Sequence, residues 1–217
     1  MKNPIDNYWS VRLDQVKARL EKNGFDVFSA TDTDEAKKIV LEDILPGLAP
    51  KTLSWGGSVS FVKSGLYHHF RDESDFELLD HWGKGLSEEE RDDLRHRSLL
   101  CDCFFAGTNA LTEDGQLVNL DMVGNRVAPM MYGPKNVVLI VGRNKLVADL
   151  EGAMARIKEF AAPVNAMRLD MKTPCRKTGY CMDCDSPDRI CNMWTIIEKC
   201  FPKGRIKIVL VNQDLGF

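Results

Sequence analysis

The chain has 217 residues, with 29 Lys and Arg against 32 Asp and Glu and a net charge of −3; it is long enough to bury a substantial core, and its composition is that of an ordinary globular protein. The charges are interspersed, so no sustained basic stripe offers a footprint to nucleic acid. No uncharged apolar run of membrane-spanning length occurs, and Met1 to Trp9 lacks the apolar core of a secretory leader, so the expectation is a cytoplasmic protein with no membrane partner.

Trp9, Leu13, Val16 and Leu20 fall at helical spacing between Pro4 and Asn23, and Asp26 to Ala30 reads as a short strand. Thr31 with Asp34 resembles a capping box for a helix carrying Ala36, Ile39, Val40 and Ile44, which Pro46 is expected to stop. Thr52 to Trp55 is the next strand. It runs into Gly56, Gly57 and Ser58, then into a helix through Val59, Phe61 and Val62. Such a turn can show free N–H groups to an anion, and it can equally be a simple turn with Ser58 as the helix cap.

Ser87 and Glu90 form a second capping box, opening a charged helix through about Leu99. Cys101 to Ala106 reads as a strand that places Cys101 and Cys103 on one face as buried core thiols. A hairpin follows, Ala110 to Thr112 and Gln116 to Leu120 around Glu113, Asp114 and Gly115. Asn136 to Val141 is a buried strand, Val147, Leu150, Met154, Ile157 and Phe160 line one face of a helix, and Ile206 to Val211 is a late strand. Strands alternating with helices predict an α/β domain spanning 1–217: a mostly parallel sheet with helices on both faces, and a Cys-rich metal-binding segment, 170–200, inserted before the last strand.

That segment carries the most specific chemical signal. Seven cysteines in a reducing compartment stay free of disulfides. Cys175, Cys181, Cys184 and Cys191 stand in the pattern Cys-x5-Cys-x2-Cys-x6-Cys, which lets four thiolates converge on one centre. Lys172, Arg176, Lys177 and Arg189 are expected to lower their thiol pKa values. The three unequal intervals favour the wrap of an iron–sulfur cluster, such as a four-iron one, with zinc as the alternative. Cys200 is expected to pack in the core.

The loops that close the central strands supply polar candidates for a ligand site: Thr108 and Asn109, Glu113 to Gly115, Asp121, Asn125 and Arg126, and Asn144 and Lys145. Ligands of open α/β sheets bind beyond the carboxyl ends of strands, so these loops with Gly56, Gly57 and Ser58 form the expected pocket, although solvated-turn and loop-bracing roles suit Glu113, Asn125 and Arg126 as well.

Trp55-Gly56-Gly57-Ser58, Gly107-Thr108-Asn109-Ala110, Glu113-Asp114-Gly115, Gly124-Asn125-Arg126, Gly142-Arg143-Asn144-Lys145 and the run from Pro174 to Cys191 together resemble the lactate-utilisation (LUD) domain family over nearly the whole chain. The resemblance implies the superfold of the sugar-phosphate isomerases and CoA transferases. It also implies a part in bacterial oxidation of L-lactate to pyruvate beside an iron–sulfur redox partner protein. Three readings follow: a redox-linked protein with a small carboxylate or phosphorylated ligand; a CoA-transferase- or isomerase-like enzyme with Glu113 as its catalytic carboxylate and a structural zinc; and a non-catalytic assembly subunit. A homodimer is the expected oligomer.

Overall fold

The structure is a computed structural model that describes residues 3–217; Met1 and Lys2, the first residues of the expected leader-free N-terminus and of the 1–217 domain, lie outside the described residues. In chain order the elements are α1 (Pro4–Lys22), β1 (Asp26–Ala30), α2 (Thr33–Lys38), α3 (Leu45–Leu48), β2 (Thr52–Trp55), α4 (Val59–Lys63), α5 (Leu66–Glu73), β3 (Glu77–Leu79), α6 (Glu88–Arg97) and β4 (Cys103–Ala106). There follow β5 (Ala110–Thr112), β6 (Leu117–Asp121), α7 (Val127–Met131), β7 (Asn136–Gly142), β8 (Leu146–Val147), α8 (Leu150–Arg156), α9 (Ala162–Arg168), α10 (Pro174–Thr178), β9 (Met193–Ile197) and β10 (Ile206–Val211).

Six strands form a parallel sheet in the order β1-β10-β7-β4-β2-β3, which bears out the α/β architecture with a mostly parallel sheet. Its central strands read as continuous apolar runs because both faces are buried. Along β7, Val137, Leu139 and Val141 join one core with Leu13, Val16 and Leu20 of α1, while Val138 and Ile140 join the other with Phe61, Leu66 and Phe70 of α4 and α5. Phe105 of β4 is wholly buried and stacks on Phe61 with 5.5 Å between ring centroids. Truncating such a ring to Ala costs about 3–5 kcal/mol.

A second sheet, in the order β8-β5-β6-β9, was not foreseen beyond its β5–β6 hairpin. Leu111 and Leu117 send it into the α1 core, and Val118 and Leu120 pack against Ala153 and Ile157 on its other side. β9 lies inside the Cys-rich segment and pairs antiparallel with β6, so the end of that segment is part of a sheet rather than aperiodic chain.

Several local expectations need correction. The cap of α2 is Asp32, whose side chain accepts from the Glu35 N–H at 2.9 Å, while the Glu35 carboxylate returns to Thr31; the box lies one residue later than Thr31 and Asp34. Pro46 does not stop the helix. A π-helical stretch at Ile39–Ile44 shifts the hydrogen-bond register so that Pro46 falls in the first turn of α3, where no N–H is needed, and Ala49 ends the helix in the left-handed region at φ 42°. A second π stretch, Ile157–Ala161, joins α8 to α9 and rotates the buried face onto Ala153, Ile157, Ala161 and Ala166, leaving Met154 and Phe160 exposed. Cys101 precedes β4 instead of lying in it, so Cys101 and Cys103 join opposite cores, and burial pushes the Cys101 thiol up to about 12. Cys200 is buried, as expected. No helix among the described residues is long and apolar enough to cross a membrane.

Candidate functional site

Two places in the fold gather the chemistry: the carboxyl ends of the parallel strands, and a recess walled by the cysteine segment. The chain moves outward from β2 to β3 and then returns to β4 on the opposite side, so β2 and β4 flank a topological switch point. Gly56 to Ser58 leave β2, Gly107 to Asn109 leave β4, and Arg143 to Lys145 leave β7, so chain segments far apart in sequence meet along one edge.

At the switch point the glycines serve close approach. A Cβ on Gly107 would stand 2.7 Å from Ser58 Oγ, and one on Gly56 would stand 2.7 Å from Arg126 Cγ. Within this turn the Gly56 N–H donates to Phe105 O at 2.9 Å, and Ser58 Oγ accepts from the Phe61 N–H at 3.2 Å as the cap of the five-residue α4.

Arg126 is 8% exposed and holds the loops together. Nη1 donates to Gly107 O at 3.2 Å and Asn119 Oδ1 at 2.6 Å, and Nη2 donates to Asn109 Oδ1 at 2.8 Å and Leu120 O at 3.2 Å. Nε lies 3.2 Å from Asp121 Oδ2, an ionic contact rather than an aligned hydrogen bond. Burial pulls the guanidinium pKa down and Asp121 pulls it up. Asp121 and Arg126 are thus a brace, joined by Thr108, whose hydroxyl donates to Ala110 O at 3.0 Å. Asn125 is half-buried in the turn before Arg126.

Lys145 lies at the same edge and is 4% exposed; its Nζ donates to Thr108 O at 3.1 Å and to the main-chain oxygen of Phe217 at 2.5 Å. Burial pulls it down to about 7, with the like charges of Arg156 and Arg126 adding to the shift. Asn144 holds the residues that follow β10, accepting from the Leu215 N–H at 2.9 Å and donating to Gly216 O at 3.2 Å. Arg156 of α8 reaches the same loops, with Nε to Asn144 O at 3.0 Å and Nη1 to Asn109 O at 2.7 Å. Sequence reasoning missed Arg156 because it is brought in from a helix.

Glu113, Asp114 and Gly115 lie elsewhere. The Glu113 carboxylate is half-exposed and pairs with Arg12 of α1, while Asn23 Nδ2 donates to Asp114 O at 2.9 Å. Gly115 takes φ 81° in the hairpin turn, with Asn23 and Leu20 against the position of a Cβ. These three residues fasten the hairpin to α1 and are not joined to Lys145 or Arg126 by any hydrogen bond among the described residues.

At the second place, Cys175, Cys181, Cys184 and Cys191 all line one recess, together with Thr173, Met182, Ile190 and the helix residues Ala162 and Pro163. Cys175 is presented from α10, and the remaining three come from the irregular chain before β9. Arg189 shapes this loop by donating from Nη1 to Cys184 O at 2.7 Å, from Nε to Cys191 O at 3.0 Å and from Nη2 to Asp183 Oδ1 at 2.8 Å. Lys158 meets the same Asp183 oxygen at 2.7 Å. Of the cations expected to act on the thiols, Arg189 pulls on Cys191, joined there by Lys158, and Arg176 pairs with Asp170. Burial pushes the Cys191 thiol up and outweighs the pull of Lys158 and Arg189, contrary to the expected lowering. Among the described residues no three His, Cys, Asp or Glu side chains are drawn onto a single point as ligands of one ion; the thiols stand around the recess instead.

The sequence model of the LUD domain matches residues 13–211. No curated protein matches the chain. Among solved structures, a DUF162 family protein from Deinococcus radiodurans is similar at 12% identity with a TM-score of 0.55, over 94% of this chain and 98% of that one, a likeness of fold.

Proposed function

We propose, on the premise that this chain belongs to the LUD domain family, that it is a redox-linked protein of lactate-like small-carboxylate oxidation whose four clustered thiols hold an iron–sulfur cluster. The observation that carries the reading is that Cys175, Cys181, Cys184 and Cys191, spread over three intervals of sequence, wall one recess. A single zinc asks for four sulfurs drawn to about 2.3 Å from one point. Thiols set around a recess suit a group with several separate attachment atoms better. When bound, such a cluster supplies one-electron transfer.

The residues of the chain itself prepare the place. Arg189 fixes the carbonyls beside two of the four cysteines, and with Lys158 it brings positive charge to a site that would gather thiolates. Thr173 Oγ1 stands 3.3 Å from Cys175 Sγ and orients that thiol. Both places share one helical run: Arg156 reaches the strand ends, and Ala162 and Pro163 wall the recess. Six residues of helix rise about 9 Å, so one short helical run carries residues of both places. A partner iron–sulfur protein would take the electrons onward. The reading of Glu113 as a nucleophile draws no support from its half-exposed pairing with Arg12.

The test is iron and acid-labile sulfide analysis with a visible spectrum on anaerobically purified protein and on the Cys181→Ser, Cys184→Ser variant. The expected outcome is iron with sulfide in the parent and loss of both in the variant. Zinc, or no metal at all, would refute the redox reading and leave the segment structural.

A further inference from the structure

The edge of a sheet offers a row of unpaired N–H and C=O groups, which proteins ordinarily blunt by shortness, charge, Pro or a bulge. Among the described residues the two sheets have four edges, β1, β3, β8 and β9. β3 has three residues and opens on Glu77, β8 has two, and β1 carries Asp26 and the exposed Ser29. β9 has none of these devices. Met193, Trp194, Thr195, Ile196 and Ile197 run without a charge or a Pro, in unbroken register with β6. Beyond that ladder their N–H and C=O groups form no main-chain hydrogen bond among the described residues.

The apolar cover stops short of this edge as well. Ile196 lies opposite Val118 and Trp194 opposite Leu120, so these four side chains share one face of the sheet. Ala153 and Ile157 pack on Val118 and Leu120 and keep them buried. Trp194 and Ile196, one strand further out, each remain 38% exposed, and Met193 is 43% exposed. An unpaired strand with a half-covered apolar face is the geometry that a further strand completes.

We propose that β9 is the docking edge for a second copy of this chain, joined antiparallel about a two-fold axis at Thr195 so that the two four-stranded sheets become one. In an antiparallel pair, residues directly opposite each other share a side-chain face, so a two-fold axis must fall on a residue; Thr195, the middle of β9, is the one that leaves no member of the strand unmatched. Trp194 then faces the partner's Ile196 on the half-covered side, an aromatic and β-branched pair of the kind that stabilises sheets, and Met193 faces the partner's Ile197. Just outside the strand Asn192 faces the partner's Glu198, so no like charges meet across the axis. A second copy is favoured over a strand of another protein because this edge supplies both halves of the match itself. The inference rests on the sheet edge and not on the cysteine reading. Its consequence for both chemical places is symmetric: β9 begins two residues after Cys191, and the adjoining β6 ends on Asp121, so the axis stands between two copies of each.

The experiment is sedimentation velocity over a range of concentrations, under reducing conditions so that no disulfide joins copies, on the full chain, on Trp194→Lys, on Ile196→Glu and on an equimolar mixture of the two variants. The expected result is a parent at twice the 24.5 kDa of the chain. Each variant brings charges into the apolar seam and should weaken association at least about tenfold. The mixture should recover the dimer, because in this register the two introduced charges, opposite in sign, face each other while the second pair of Trp194 with Ile196 stays intact. Both side chains are partly exposed, and an unchanged far-UV circular dichroism spectrum checks that the variants fold; should Trp194→Lys fail, Ile196→Lys reads the same edge. A monomeric parent, which would leave the edge to a strand of another protein, a dimer unchanged in the variants, or folded variants that stay apart when mixed would overturn the proposal.

Discussion

Replacing Arg126 by Met removes the one side chain that ties together the loops after β4, the start of the α7 turn and the end of β6. Four hydrogen bonds go with it, to Gly107 O, Asn119 Oδ1, Asn109 Oδ1 and Leu120 O, and Asp121 is left 8% exposed without its cation. At 3.2 Å the gross attraction to Asp121 is about 5 kcal/mol at an effective dielectric of about 20. Desolvation of both groups offsets part of that, so the pair is a poor source of net stability, yet stranding one partner costs about 3–5 kcal/mol. The expected loss for Arg126→Met is of that size, or roughly 2–4 °C of Tm for each kcal/mol. Urea titration read by tryptophan fluorescence measures it. The double variant Asp121→Asn, Arg126→Met should cost less than the sum of the single ones by about 0.5–3 kcal/mol, because it removes the orphaned charge. A single variant within about 1 kcal/mol of the parent, or strict additivity, would refute the view of Arg126 as the brace of these loops.

Two further outcomes concern pH. Lys145 has a folded pKa pulled down to about 7, below the value of about 10.4 for an unfolded lysine, so between those values the unfolded chain holds the extra proton and stability rises with pH. With Arg156 and Arg126 as its charged neighbours, the parent should gain up to about 1.4 kcal/mol per pH unit relative to Lys145→Met between about pH 7 and 10; parallel curves in urea melts at several pH values would contradict it. Asp102, held well below the usual carboxylate range by Lys135 and then by the Lys51 and Thr52 N–H groups, stabilises the fold above the unfolded carboxylate value, and that contribution is lost as pH falls through its lower folded value. Asp102→Asn should cost about 1–2 kcal/mol at pH 7, and the gap to the parent should close below about pH 4; a gap that stays constant in acid would count against the assignment.

The parallel sheet was legible because its central strands are buried on both faces and so appear as unbroken runs such as Val137 to Val141. β3, with three residues, is too short to carry a pattern. β9 did carry one, since Trp194, Thr195, Ile196 and Ile197 favour strands, but the cysteines just before it drew the whole stretch into one irregular segment. The helix faces failed for a different reason. Both π stretches insert an extra residue into a turn, and the buried positions run Ala153, Ile157, Ala161 in steps of four, so a strict 3.6-residue period placed Met154 and Phe160 inward when they face out.

The two chemical places were legible to different depths for the same kind of reason. Four cysteines close in sequence announce themselves by spacing, because their meeting requires only a local wrap. The strand-end cluster depends on three loops that sheet order brings side by side, and on Arg156, whose place is set by the register of the helix after β8. Sequence could name Lys145 and Arg126 as polar residues closing strands, but not that Asp121 answers Arg126 or that Lys145 reaches Thr108 O. Charge balance is a property of the assembled edge. It is also what makes Arg126 a brace: its counter-ion is built in beside it.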